Sequence, residues 1–258
     1  MFPQIGKSFR TSRIFSQDGK TLIVGLDSEF ALGQVENLLE TRNALARILK
    51  SKPDAIILDK GQVARLESLI GGRGPAVLIR ADFTNALRST DSTLPLKELE
   101  HVKLADPKEA IMLGVEGVAA CLFVGGENEE ARSIKIVSSL VSECRRFGLP
   151  LLVESIPIGE RVTETNRLDC LKLAVRMAVE AGADVVAVPY AGDEMSVHSV
   201  VEVAGQTPIL TIDDPMRSLM ELRNAVSAGC AGLVLRERLA SGNIEEIVAE
   251  TRLLVHGC

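Results

Sequence analysis

The segment Ala183-Asp-Val-Val-Ala-Val-Pro-Tyr-Ala-Gly-Asp193 is apolar at nearly every position until it ends in a glycine and an aspartate. Such a run is typical of a parallel strand that is buried on both faces and followed by a loop. Seven other short runs share this character. Together they predict eight strands: Thr21–Asp27, Ala55–Asp59, Ala76–Asp82, Gly117–Val124, Pro150–Ser155, Asp184–Tyr190, Pro208–Ile212 and Gly232–Arg236.

Segments with helical spacing of apolar residues lie between these strands. They include Val35–Leu49, Glu129–Phe147, Asp169–Ala181, Met216–Ala228 and Ile244–Val255. Alternation of eight strands with helices predicts a (β/α)8 TIM barrel, and a doubly wound open sheet is the alternative. The length of 258 residues fits one barrel, so we expect a single domain over residues 1–258. A long polar stretch, Asp82–Asp106, predicts a functional or mobile loop.

Composition excludes several classes of function. The net charge of −6 and the pI near 5.3 give no basic surface for nucleic acid. No apolar run approaches the roughly 20 residues that cross a bilayer. Residues 1–15 lack the apolar core of a secretory signal. The five cysteines form no CxxC pair, which indicates reduced thiols and a cytoplasmic location.

Ionisable residues follow most of the predicted strands, at the end of a barrel where catalytic groups lie. Asp27 ends an apolar strand and is costly to bury there without a partner or a task. Lys60 could serve as an amine nucleophile, or it could form an ion pair with a neighbouring carboxylate. Glu154 could act as an acid or base, or it could pair with Arg80 or Lys60. We therefore name Asp27, Lys60 and Glu154 as candidate catalytic residues.

Other strand-end residues are candidates for binding the substrate. They are Arg80, Asp82, Tyr190, Asp213 and Arg236. Alternate residues of a barrel strand point outward, so about half of the strand-end residues are expected to miss the cavity. Asp213 or Asp214, which precede Pro215, could instead cap a helix.

No motif in the chain predicts a bound cofactor. No two histidines have the spacing of zinc ligands, and no GxGxxG, P-loop or GxSxG sequence occurs. A carboxylate site for a divalent metal, using Asp27, Asp82, Glu154 or Asp213, stays open because spacing cannot test it.

Five stretches resemble the archaeal-type class I fructose-bisphosphate aldolases. They are Gly6-Lys-Ser-Phe-Arg-Thr-Ser-Arg-Ile-Phe15, Asp18-Gly-Lys20 through Asp27, Leu58-Asp-Lys-Gly61, Phe147-Gly-Leu-Pro-Leu-Leu152 and the segment 183–193. The resemblance implies a (β/α)8 barrel that assembles into a homo-oligomer. It also implies a Schiff-base lysine on the sixth strand and a tyrosine on the fifth, where this chain has Ala187 and Ile156. Asp27 matches the family's aspartate.

The phosphate-binding turns of the family also differ here. The resemblance places glycine-rich turns where this chain has Ile212-Asp-Asp214 and Arg236-Glu-Arg238. The expected function is therefore an aldolase-like lyase with non-standard catalytic residues. Its substrate would be a small carbonyl compound that is hydroxylated, with sugar phosphates among the candidates.

Two chemical versions of this function are open. In one, Lys60 forms the Schiff base, Asp27 shuttles the proton and Glu154 assists. In the other, carboxylates hold a divalent ion that stabilises an enolate. The alternative is a non-catalytic aldolase homologue that binds a metabolite or serves as an assembly subunit.

Overall fold

The computed structural model describes residues 2–27, 41–72, 74–86, 88, 94, 96–236, 238–239 and 242–257. Eight parallel strands close into a barrel: β1 (Thr21–Gly25), β2 (Ala55–Leu58), β3 (Ala76–Arg80), β6 (Gly117–Val124), β7 (Leu151–Pro157), β8 (Val185–Pro189), β9 (Ile209–Ile212) and β10 (Gly232–Leu235). The two remaining strands, β4 (Asp82–Thr84) and β5 (His101–Lys103), form a separate antiparallel pair. The predicted TIM barrel is confirmed, and the doubly wound open sheet is wrong.

Helices follow the strands around the barrel. Their bounds are α1 (Phe2–Ile14), α2 (Thr41–Lys50), α3 (Lys60–Ile70), α4 (Pro107–Leu113), α5 (Glu129–Phe147), α6 (Arg167–Ala181), α7 (Glu194–Ala204), α8 (Leu219–Ser227) and α9 (Ile244–His256). The predicted helix Val35–Leu49 is only partly testable, because its first six residues lie outside the described residues. Most predicted helix ends agree with these bounds to within three residues.

Two segments differ from their predicted structure. The predicted strand Ala76–Asp82 ends at Arg80, and Asp82 begins β4. The predicted loop Asp82–Asp106 therefore contains a hairpin, in which Phe83 pairs with Val102. Residues 87, 89–93 and 95 of this stretch lie outside the described residues. The hairpin matters because it places Asp82 beside the end of the barrel.

Apolar side chains fill the barrel interior in layers, as in other TIM barrels. The inner cluster includes Ile23, Ile57, Leu78, Leu152, Ala187, Leu210 and Val234, all at most 2% exposed. Ile14, the last residue of α1, belongs to the same cluster. Helix α1, which was not predicted from the sequence, therefore covers the amino-terminal end of the barrel. The polar residues that follow the strands lie at the opposite, carboxyl-terminal end.

The remaining sequence-based expectations concern membranes, thiols and domains. Across the described ranges, no helix is long and apolar enough to cross a membrane. Cys121, Cys144, Cys170 and Cys230 are free cysteines. That residues 1–258 form a single domain stays a prediction.

Candidate active site

A cavity of about 150 Å³ lies at the carboxyl-terminal ends of the strands. It is lined by Asp27, Asp59, Arg80, Asp82, Phe83, Thr84, Ala86, Cys121, Phe123, Glu154, Ile156, Ile158 and Arg236. Its lining combines aromatic and aliphatic side chains with ionisable ones. This is the end of a TIM barrel at which catalytic residues lie.

Two arginines and two carboxylates of this cavity form a buried ion network. Arg80 donates from Nε to Asp27 Oδ2 at 2.6 Å and from Nη2 to Glu154 Oε1 at 2.9 Å. Arg236 donates from Nη2 to Glu154 Oε1 at 2.8 Å and from Nε to Asp27 Oδ1 at 3.3 Å. All four side chains are at most 8% exposed. We call Asp27, Arg80, Glu154 and Arg236 the arginine–carboxylate network.

The network fixes the charge of its members. Burial raises the pKa of Glu154, but the charges of Arg236 and Arg80 and their hydrogen bonds outweigh it and lower the pKa to about 2. Burial lowers the pKa of Arg80, yet Asp27 and Glu154 raise it well above its ordinary value. Glu154 and both arginines therefore carry their charges at neutral pH. A buried group of this kind tolerates the loss of one partner poorly.

Strand register and one glycine explain how the network forms. Glu154 on β7 lies level with Cys121 on β6 and with Ala187 on β8, so these three side chains point to the same face of the sheet. Arg236 reaches the network across Gly25 at the end of β1. A Cβ atom at residue 25 would lie 2.8 Å from Nε of Arg236. Gly25 is therefore required for the position of this guanidinium.

Asp82 is held at the cavity wall by the hairpin and by β6. Its Oδ2 contacts His101 Nε2 at 2.6 Å and accepts the backbone N–H of Cys121 at 2.7 Å. His101 Nδ1 contacts Ser133 Oγ at 2.9 Å. His101 itself lies on β5. Its role depends on a partner 19 residues away, which no local pattern signals.

Lys60 is the candidate catalytic residue that the fold does not bring to the cavity. It is the first residue of α3, and its Nζ donates to Glu109 Oε1 at 3.0 Å and to the carbonyl of Leu104 at 3.1 Å. Its side chain is 39% exposed. Lys60 therefore forms an ion pair, which was one of the two roles considered from the sequence. Its partner is Glu109 rather than Glu154.

Two of the predicted substrate-binding residues also lie away from the cavity lining. Tyr190 is buried in the core between strands and helices, with Arg217 over its ring. Asp213 accepts the backbone N–H groups of Arg236 and Arg238, and burial raises its pKa despite these bonds. Asp213 thus positions the backbone of Arg236. The expected helix cap there is wrong, because the cap of α8 is Ser218.

Ala187 and Ile156 take the positions that the resemblance assigns to a lysine and a tyrosine. Ala187 is fully buried beside Glu154, and Ile156 lines the cavity. Neither side chain can supply an amine or a phenol. That these positions correspond to the relatives' catalytic residues stays a prediction. Among the described residues, no three His, Cys, Asp or Glu side chains are grouped so that they could hold a metal ion.

Comparison with known proteins gives one family and several relatives. Residues 21–230 match the family model described as DeoC/LacD family aldolase. An uncharacterized aldolase of Saccharolobus solfataricus is 29% identical, with 91% of this chain and 88% of that protein covered. The 2-amino-3,7-dideoxy-D-threo-hept-6-ulosonate synthase of Halobacterium salinarum is 27% identical, with 88% and 83% covered. Among solved structures, an archaeal fructose 1,6-bisphosphate aldolase has a TM-score of 0.82 at 21% identity, with 98% and 100% covered.

Proposed function

Because the chain belongs to the DeoC/LacD aldolase family, we propose that it is an aldolase-type lyase that cleaves or forms a carbon–carbon bond in a small hydroxylated keto compound. The names of its relatives, a heptulosonate synthase and a fructose 1,6-bisphosphate aldolase, support this substrate class. The observation that carries the proposal is the arginine–carboxylate network at the carboxyl-terminal end of the barrel. It places charged donors and acceptors in an otherwise apolar cavity.

In the cleavage direction, the substrate's keto oxygen would accept hydrogen bonds from Arg80 and Arg236. Asp27 would take the proton of the hydroxyl group beyond the bond to be broken. The carbon–carbon bond then breaks, its electron pair moves to the keto oxygen, and an aldehyde and an enolate result. Guanidinium donors aimed at a developing oxyanion are an effective way to stabilise such a charge. Glu154 would hold both arginines in place.

This mechanism replaces the amine version expected from the sequence. Lys60 donates hydrogen bonds to Glu109 and to the carbonyl of Leu104, and it does not line the cavity. We therefore assign it a structural role at the start of α3. Arg80 and Arg236 stabilise the enolate electrostatically, as the iminium of a Schiff base would in the amine version. No step requires a covalent intermediate.

One observation favours a second candidate, a non-catalytic protein that binds a metabolite. Both carboxylates of the network are already paired with arginines, and Glu154, with a pKa of about 2, is a weak base. With both carboxylates held by arginines, such a protein would bind a keto compound in the cavity without cleaving it. Turnover and binding must therefore be measured separately.

The test is retro-aldol turnover of a panel of hydroxylated ketones, with and without phosphate groups, in wild type and Asp27→Asn. We expect the variant to lose at least about 100-fold in kcat, in line with the loss of a general base. Asp193→Asn is the matched control, because Asp193 caps α7 outside the cavity and asparagine is an equally good cap. Binding without turnover in wild type would favour the second candidate.

We also propose that the protein is a homo-oligomer. Large apolar side chains on its surface support this: Phe2 and Phe9 of α1 and Met112 of α4 are 86%, 69% and 77% exposed. Phe9 also lines a surface cavity together with Ile111 of α4, and exposed apolar groups that lie close together usually mark an interface. Light scattering coupled to size-exclusion chromatography would give the assembly mass, and a monomer would contradict the proposal.

A further inference from the structure

Two neighbouring strands carry apolar side chains one layer beyond the arginine–carboxylate network. On β6 and β7, Cys121 pairs with Glu154, and two residues further along Phe123 pairs with Ile156. Because alternate residues of a strand point to the same face, Phe123 and Ile156 follow Glu154 on the cavity side of the sheet. Both of them line the cavity. The lining therefore changes from charged to apolar as β6 and β7 approach their carboxyl-terminal ends.

Further apolar side chains continue this lining past the strand ends. Ile158 follows β7, where its backbone N–H donates to the carbonyl of Val124, and it lines the same cavity. Phe83 of β4 lines it as well. The side chains of Ile156, Ile158 and Phe83 are only partly buried. Their remaining apolar surface is removed from water when an apolar group of a ligand covers it, which favours binding. We call these residues the apolar lining: Phe83, Phe123, Ile156 and Ile158.

The two guanidinium groups that line the cavity are already ion-paired. Arg80 and Arg236 each contact Asp27 and Glu154, at N–O distances of 2.6 to 3.2 Å. A phosphate dianion would have to displace these carboxylates to gain its own ion pair. A neutral carbonyl oxygen needs only one N–H group. The network therefore suits a ketone better than it suits a phosphate.

The other polar residues of the described lining bind the protein's own backbone. Asp82 accepts the backbone N–H of Cys121, and Thr84 Oγ1 accepts that of Ala86 at 3.0 Å. Asp59 occupies the N-cap position of α3. Hydroxyl groups of a sugar chain would instead lie against the apolar lining, where a buried hydroxyl without a hydrogen-bond partner is costly.

We propose that the apolar lining determines substrate specificity and binds an alkyl or aryl group of the substrate. The substrate is then a hydroxy ketone whose keto oxygen lies at Arg80 and Arg236 and whose far end is hydrocarbon, neither phosphorylated nor a chain of hydroxyl groups. The placement of the keto group rests on the proposed function. The apolar site is tested by binding alone, so its failure is distinguishable from a failure of catalysis.

The direct test is an NMR titration of wild type with four methyl ketones of growing chain length: acetone, butanone, methyl propyl ketone and methyl butyl ketone. We expect each added methylene to tighten binding about fourfold, which is equivalent to about 0.8 kcal/mol. Erythrulose and dihydroxyacetone phosphate are the polar comparison and should bind at least about tenfold more weakly than methyl butyl ketone. Affinity that is independent of chain length, or that is highest for either polar ketone, would overturn the proposal.

Variants then assign the chain-length dependence to the apolar lining. Ile156→Asn should reduce the gain from acetone to methyl butyl ketone at least about fivefold, because part of the alkyl chain then meets a polar amide. Ile158→Asn, beyond the end of β7, should act in the same direction and replaces Ile156→Asn if that variant does not fold. Leu253→Asn is the matched control, since Leu253 is 57% exposed and lines a separate surface cavity beside α8.

The outcomes separate the apolar site from the proposed chemistry. A chain-length dependence that Leu253→Asn abolishes, or that both isoleucine variants keep, would refute the assignment to the apolar lining. If wild type cleaves hydroxylated ketones but shows no such dependence, the specificity proposal fails and the aldolase function stands. If the dependence is present without turnover, the apolar site stands and the aldolase function fails.

Discussion

Three carboxylates at the amino-terminal end of the barrel and the two carboxylates of the arginine–carboxylate network make different contacts. At the amino-terminal end, Asp54, Glu116 and Asp184 each accept the backbone N–H of a residue at or near the start of a strand: Leu22, Val77 and Leu151, respectively. At the carboxyl-terminal end, the donors to Asp27 and Glu154 among the described residues are side chains: Arg80, Arg236 and, for Glu154, a long contact from Cys121. The first arrangement fixes backbone. The second places charges in a cavity.

The difference shows how one barrel separates stability from function. A carboxylate bonded to backbone N–H groups can be replaced by an amide that keeps the acceptor oxygen. A carboxylate between two buried arginines cannot, because its negative charge is what balances theirs. Substitutions of the same chemistry at the two ends should therefore have different consequences.

The largest effect is expected for Glu154→Gln at the carboxyl-terminal end. Loss of this charge leaves the two buried guanidinium groups of Arg80 and Arg236 with less negative charge to balance them, and the free energy of unfolding should fall by about 3–5 kcal/mol. Urea denaturation measures this. Glu116→Gln, at the amino-terminal end, keeps an acceptor for Val77 and should cost no more than about 1–2 kcal/mol. Equal losses in the two variants would contradict the comparison.

The pH dependence of the free energy of unfolding should also report the negative charge of Glu154. The pKa of Glu154 in the folded protein is about 2, below its usual value near 4.5. Its ionisation thus stabilises the fold fully above pH 4.5, and this stabilisation is lost as pH falls toward 2. For this buried group the shift corresponds to roughly 3 kcal/mol. Urea midpoints between about pH 6 and pH 2.5 should fall less steeply in Glu154→Gln than in wild type; parallel curves would argue against the assignment.

A smaller effect is expected when Gly25 is changed to alanine. The added methyl group would lie 2.8 Å from Nε of Arg236 and 3.0 Å from Oδ1 of Asp27, so the guanidinium must move. We expect about 1–3 kcal/mol of destabilisation. The kcat of Gly25→Ala should fall by a larger factor than the loss of folded protein accounts for. As a control, Gly61→Ala at the start of α3 has only the far end of Arg65 within 4 Å and should be tolerated.

The smallest effect is expected for Lys60→Ala. Exposed ion pairs contribute about 0–1 kcal/mol, and Lys60 contacts Glu109 rather than the cavity. Thermal unfolding and turnover should both stay close to wild type. A complete loss of turnover with an unchanged fold would restore the amine mechanism.

The sequence predicted the barrel well because each strand is buried on both faces and is therefore apolar at nearly every position. The bounds of β6 and α5 agree with the predicted ranges to the residue. Helix α1 was missed because Phe2, Ile5 and Phe9 are exposed and only Ile14 is buried, so no core-facing stripe marks it.

The site was predicted only in part, because its contacts join distant residues. Asp27, Arg80 and Glu154 were identified as strand-end residues, but their partners lie 53 to 209 positions apart in the chain. No spacing rule encodes such pairs. Gly25 and His101 were missed for the same reason, since their roles depend on Arg236 and Asp82 in the folded barrel.

We propose that this barrel performs aldolase chemistry through an arginine–carboxylate network and without an amine nucleophile. The most direct measurement is the intact mass of the protein after borohydride is added during turnover of a hydroxylated ketone. We expect measurable cleavage and an unmodified mass, because no covalent intermediate forms. If a stable adduct forms on any lysine and turnover is lost as it forms, this mechanism is contradicted.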